Sequence, residues 1–179
     1  MPLAWPEERV IHDDGSILAV CKPHGMIVHG GADTPAGDLL SCLQSRCHGR
    51  RLRVCSTLER GASGIVLLSY TDAARRELME RFEPEQWILT YHVAVSDPGL
   101  PSHGVLPPAR NHTTRGAHGR FTVLERSEGR ALLEVELRGP TPHSLRESLA
   151  NLRAPVCGDV EHGGRRAYSS SSSESPFFS

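Results

Sequence analysis

Apolar and polar residues alternate over several short stretches of this chain and recur at helical spacing in only a few places. Val10-Ile11-His12 and Ile17 to Cys21 read as two short strands around an Asp13-Asp14-Gly15 turn. Pro23-His24-Gly25 breaks the second strand, and Met26-Ile27-Val28 is expected to resume extended structure. Asp38 suits the cap of a short helix through Leu39, Leu40 and Leu43. A loop of small residues, Thr57 to Gly64, leads into a strand from Ile65 to Ser69. Thr71-Asp72 caps a helix to about Phe82, with Ala74, Leu78 and Phe82 on one face. Trp87 to Val95 alternates as a strand, Leu89, Tyr91 and Val93 against Ile88, Thr90 and His92. Residues 96–119 are rich in Pro, Gly and His without apolar periodicity, which predicts a long loop. Phe121 to Leu124 and Ala131 to Leu137 read as two more strands, with a hairpin turn at Ser127-Glu128-Gly129. Thr141-Pro142 opens a helix whose buried stripe is Leu145, Leu149 and Leu152. This order predicts an α+β domain over residues 1–166, with a mixed, mainly antiparallel sheet and two or three helices. The serine-rich tail, residues 167–179, buries too little to order itself.

Composition narrows the class. At 179 residues, 38% hydrophobic and 23% charged, the chain suits one globular domain and excludes collagen, coiled coil and full disorder. No apolar run approaches the roughly 20 residues of a membrane helix. Met1 to Arg9 carries Glu7 and Glu8 and no apolar stretch, so neither signal nor transit peptide is expected. The five scattered cysteines read as reduced thiols of an intracellular protein, cytoplasmic or organellar and not secreted. Cys42, Cys47 and His48 are the one cluster that hints at zinc, but no second ligand pair lies at a fitting distance; buried or idle thiols are the expectation.

Charge points to chemistry only locally. The net charge is −1, which makes no global case for nucleic acid. Two acid-free stretches stand out, however. One carries Arg46, Arg50, Arg51 and Arg53; the other carries Arg110, Arg115 and Arg120 with His103, His112 and His118. Together they can form a cationic face, or be no more than two solvated arginine-rich loops. Lys22 is the only lysine among 20 Lys and Arg residues. Gly61-Ala62-Ser63-Gly64 fails the G-x-S-x-G spacing of a nucleophile elbow, and neither a P-loop, G-x-G-x-x-G nor H-E-x-x-H occurs.

Five segments in order resemble one family. Ile17 to Gly30 carries Lys22-Pro23 and, two residues on, Gly25 after an apolar strand. Leu58-Glu59-Arg60-Gly61-Ala62-Ser63-Gly64 is similar to a catalytic loop, and Thr90-Tyr91-His92-Val93-Ala94-Val95 to a strand bearing a functional tyrosine. His143-Ser144-Leu145-Arg146 resembles a helix motif, and Ala154-Pro155-Val156-Cys157-Gly158-Asp159 a closing turn. The family is the RluA-type RNA pseudouridine synthases, and the resemblance runs from about residue 10 to residue 164.

The resemblance implies the pseudouridine synthase catalytic fold and the isomerisation of uridine within RNA, rRNA or tRNA. The N1–C1′ bond breaks, the held base turns, and C5 bonds to C1′; no metal or redox cofactor is implied. Glu59 falls where the family has its catalytic aspartate, Tyr91 on the tyrosine that packs against the target base, and Arg146 on the arginine paired with the carboxylate. A nearby guanidinium favours an ionised carboxylate, and an aromatic face holds an extruded base by stacking. RNA contacts are expected from Lys22, Arg50, Arg51, Arg53, Arg60, Arg110 and Arg115, on a monomer with no membrane partner. On the residues alone, the better reading is Glu59-Arg60 as an exposed charge pair, Tyr91 as a core strand residue and Arg146 as a solvated helix residue.

The chain departs from the family pattern at several positions. Ser56-Thr57 stands for His-Arg, Leu89 for a lysine, Pro140-Thr141 for Gly-Arg and Ser144 for a glutamine. Glutamate for aspartate moves the carboxylate by about 1 Å or more, and a misplacement of that size can cost about a hundredfold in rate. Two functions therefore stand side by side: a synthase using Glu59, or a catalytically inactive RNA-binding or ribosome-assembly protein on the same fold.

Overall fold

The computed structural model describes residues 6–30, 37–47, 50–81, 86–107, 119–138 and 145–165. The chain divides into two compact units, one of residues 1–88 and 138–143, the other of residues 89–137 and 144–179. Each unit has its own four-stranded sheet and its own apolar core.

In the first unit the strand order is β1 (Val10–Asp13), β2 (Ile17–Lys22), β4 (Gly64–Ser69), β3 (Arg53–Val54), all pairs antiparallel. Alternation along β2 turns Leu18, Val20 and Lys22 inward, where Leu18 and Val20 meet Val66 and Leu68 of β4. Helix α1 (Leu39–Arg46) closes this core with Leu39 and Leu43. Its cap is Asp38, as expected: the carboxylate accepts from Ser41 N at 2.7 Å and Ser41 Oγ at 3.0 Å. Met26 to Val28, expected as a strand, is none; the Ile27 and Val28 carbonyls instead accept the Leu39 and Leu40 N–H groups at 2.9 and 3.0 Å. A helix start leaves four N–H groups without intrahelical partners, and this segment satisfies two of them. Helix α2 (Asp72–Arg81) is capped by Thr71 Oγ1, which accepts from Ala74 N at 3.0 Å. It buries no residue fully; Ala74 and Leu78 are half-buried, and Phe82 lies outside the described residues.

The second unit orders its strands β5 (Ile88–Ser96), β8 (Arg130–Arg138), β7 (Gly119–Ser127), β6 (His103–Val105). Ala131, Leu133, Val135 and Leu137 of β8 alternate into a core that Val93, Val95, Phe121 and, from helix α3 (Leu145–Asn151), Leu145 and Leu149 complete. The β7–β8 hairpin pairs Ser127 with Arg130, leaving the two-residue turn Glu128-Gly129 with φ of 50° and 74°. Two successive positive φ values make a type I′ turn, whose twist matches the strands and whose second position favours glycine.

The long loop over 96–119 is interrupted. His103–Val105 pairs with β7 through Thr122, Phe121 and Arg120, and Leu100 and Leu106 are buried in the core. A three-residue strand held by backbone pairing leaves no apolar period to detect. Residues 108–118, with Arg110 and Arg115, lie outside the described residues, as do residues 139–144 and the tail from 166. No helix among the described residues is long and apolar enough to cross a membrane.

Candidate active site

Glu59 heads a loop held from below by β2 and the turn after it. Lys22 ends β2 with its side chain fully buried. Its Nζ donates to Ala62 O at 2.6 Å, Met26 O at 2.7 Å and Pro23 O at 3.0 Å. Burial pushes its pKa below the ordinary lysine value, but three acceptors call for three N–H groups, which only the ammonium form supplies. Three further hydrogen bonds lace the same turn to the loop. Gly25 N donates to Arg60 O at 2.8 Å, Arg60 Nε donates back to Gly25 O at 3.1 Å, and His24 Nδ1 donates to Gly61 O at 2.9 Å. Gly25 has φ of 81°, a left-handed conformation that a β-carbon resists. Glu59 itself is half-buried, and its carbonyl closes the loop by accepting from Ala62 N at 3.1 Å.

This network corrects part of the expected RNA-contact set. Lys22 is no surface cation: all of its donors are spent on backbone carbonyls inside the first unit. Arg53 is also committed. Its Nε and Nη2 grip Asp72 at 2.5 and 2.7 Å, while Nη1 donates to Arg51 O at 2.5 Å and Tyr70 O at 3.1 Å. Arg120 belongs to β7, where it pairs with Glu136. Arg50, Arg51 and Arg60 are exposed as expected, Arg50 with its guanidinium 4.2 Å above the Tyr70 ring. Cys42 and Cys47 bury their side chains in the first unit's core, and His48 lies outside the described residues.

Tyr91 and Arg146 belong to the second unit. Tyr91 shares the inward parity of Val93 and Val95 on β5 and packs, partly buried, against that unit's core. The closing turn runs beside the same strand: Ser96 N donates to Pro155 O at 3.0 Å, Cys157 N donates to Ala94 O at 2.8 Å, and Val95 bridges Val156. The turn delivers Asp159, whose buried carboxylate accepts from Arg146 Nε at 2.7 Å and Nη2 at 2.5 Å. Nη2 also reaches Glu161 Oε2 at 2.9 Å. A two-pronged guanidinium–carboxylate pair fixes orientation as well as charge. Asp159, Glu161 and His162 place three ligand-type atoms within 4.8 Å of one another, and the cation among them is Arg146.

Arg146, followed by the His162 contact, holds the Asp159 carboxyl below the usual carboxylate range. A carboxyl with a lowered folded pKa stabilises the fold above its unfolded value near 4, and the gain fades as pH falls through the lower folded value. Asp159→Asn is expected to cost about 1–3 kcal/mol at pH 7. The gap between wild type and variant should shrink as the pH drops below about 4. Urea unfolding at a series of pH values checks both.

Sequence reasoning left Asp159 without a role, and it gave Lys22 the wrong one. The signal for Lys22 was present: it shares the parity of Leu18 and Val20 on an inward-facing strand. No local pattern flags Asp159, because its partner lies 13 residues away.

The sequence profile described as RNA pseudouridylate synthase matches residues 16–151, and the chain belongs to that family. Its relatives place it with the RluA-type enzymes. It is 28% identical over 172 residues to ribosomal large subunit pseudouridine synthase D of Xanthomonas campestris, covering 87% of this chain and 52% of that protein. It is 30% identical over 171 residues to an uncharacterized RNA pseudouridine synthase of Synechocystis, covering 86% and 58%. Human RNA pseudouridylate synthase domain containing 4 shares the fold, with a TM-score of 0.70 at 21% identity over 90% of this chain and 73% of that one. The chain thus spans 52 to 58% of the length of those two curated relatives.

Proposed function

We propose that the chain isomerises uridine to pseudouridine within RNA, rRNA or tRNA, with Glu59 as the catalytic carboxylate. Tyr91 is the platform for the extruded base, and Arg146 is the guanidinium that favours the ionised carboxylate. The base leaves C1′ through N1 and returns through C5, and the C5 hydrogen passes to solvent. The observation that carries this reading is the clamped loop: within the matched segment, the residues just after Glu59 are tied to the Lys22–Gly25 turn by Lys22, His24, Gly25 and Arg60. Preorganisation of that kind is what a positioned carboxylate requires.

A second reading rests on Glu59 itself. Glutamate in place of aspartate, with Leu89 and Ser56-Thr57 in place of cationic family residues, fits an RNA-binding protein that no longer catalyses. Tritium release from [5-³H]uridine-labelled cellular RNA separates the two. Release by the purified protein is expected; salt-sensitive RNA binding without release would leave the binding reading standing instead.

A further inference from the structure

The first unit carries two arginines, Arg75 and Arg76 on α2, that neither the loop pattern nor the clamp explains, and they stand beside Arg50 and Arg51 of the loop. Arg53 neutralises Asp72 with a two-pronged pair and ties down the Arg51 and Tyr70 carbonyls. Around that anchor stand four exposed arginines: Arg50 and Arg51 before β3, and Arg75 and Arg76 on α2. Arg50 lies over Tyr70, whose hydroxyl donates to Asp13 at 2.8 Å. Arg75 Nε donates to Val54 O at 3.0 Å, which draws α2 and β3 together, and Arg76 Nε donates to Asp72 O at 3.4 Å. Among the described residues these four arginines hold no carboxylate in an ion pair. Glu77, the nearest acid along the helix, is taken by Arg81 at 2.8 Å. Arg75 and Arg76 also sit in the N-terminal half of α2, where the helix dipole disfavours positive charge. Arg76, four residues after Asp72, helps keep that carboxylate ionised, and Arg75 ties α2 to β3, but neither guanidinium is taken up in an ion pair among the described residues.

We infer that Arg50, Arg51, Arg75 and Arg76 form a phosphate-binding strip, built from the β3 approach and the first turns of α2, along which the RNA backbone lies. The inference rests on the RNA reading above and adds α2 to the contact surface. Guanidinium groups match phosphate oxygens in geometry and are weakly hydrated; here Arg53 takes up Asp72 in a two-pronged pair, and the four outer guanidiniums are left without an ion-paired carboxylate among the described residues. A backbone-tracking strip positions the substrate and carries no sequence preference.

The test is Arg51→Ala/Arg76→Ala in the full chain, with binding to a fluorescein-labelled uridine-rich RNA hairpin measured from about 50 to 200 mM salt. Both residues are exposed, and neither donates to β3, so folding is expected to persist; thermal unfolding checks it. The slope of log affinity against log salt should fall by about 1 per arginine. Arg51→Lys/Arg76→Lys, which keeps the charge, should restore most of the slope. A wild type that binds with strong salt dependence beside a double alanine variant of equal slope would overturn this strip and leave the RNA reading intact. A wild type that binds no RNA, whether or not it binds an acidic protein at the same face, would overturn both.

Discussion

Glu59→Ala is expected to lower tritium release from [5-³H]uridine-labelled RNA by at least about a hundredfold, the lower end of what a positioned acid or base contributes. RNA affinity should hardly change, because Glu59 brings no positive charge to the complex. Glu59→Asp is the more informative substitution. If the longer side chain carries the carboxylate past its best position, aspartate should raise the rate, by up to about a hundredfold for a 1 Å correction. A fall in rate would mean that the loop has adapted to glutamate, and the misfit argument would then be wrong. The clamp on residues 60–62 bears on this directly. With Arg60, Gly61 and Ala62 tied to the Lys22–Gly25 turn, the backbone after Glu59 has little room to shift and absorb a change in side-chain length.

Lys22→Met is expected to be the most destabilising single change in the first unit. Methionine preserves length and apolar character but leaves the Pro23, Met26 and Ala62 carbonyls without a donor. Each buried acceptor left unpaired costs about 1–3 kcal/mol, so the total is about 3 kcal/mol or more. For a chain of this size that lowers the melting temperature by about 10 °C. Thermal and urea unfolding read the stability effect. Kinetics at a temperature where the variant is folded read the positioning effect, which should fall on kcat rather than KM, since Lys22 touches the loop and not the solvent-facing surface. A variant as stable as wild type would show that the buried ammonium is not what holds the loop.

Much of the fold was legible because it is local. The β5 and β8 alternations, the Asp38 and Thr71 caps and the Glu128-Gly129 turn each depend on residues within a few positions of one another. The errors fell where partners are distant. Met26 to Val28 has the composition of a strand, yet its carbonyls cap a helix that begins 11 residues beyond Val28. The arginine-rich stretch at 50–53 read as a loop, yet Arg53 and Val54 pair with β4, and Asp72, 19 residues on, takes the Arg53 guanidinium.

The amino-acid sequence by itself determined the longer strands, the three helices with the Asp38 and Thr71 caps, and, through five ordered segments, the family. Lys22, read from the sequence as an RNA contact just past the strand, shares the parity of Leu18 and Val20, and successive strand residues point to opposite sides of a sheet. Only the tertiary structure decided what that buried charge does. Its partner at Ala62 is 40 residues away, and a lysine can enter a core only where chain segments that are remote in sequence bring enough carbonyl oxygens to one point. The same holds for the arginines: their number is read from the sequence, but which are committed to carboxylates and carbonyls, and which face solvent, depends on contacts that exist only once the sheet and helices have closed.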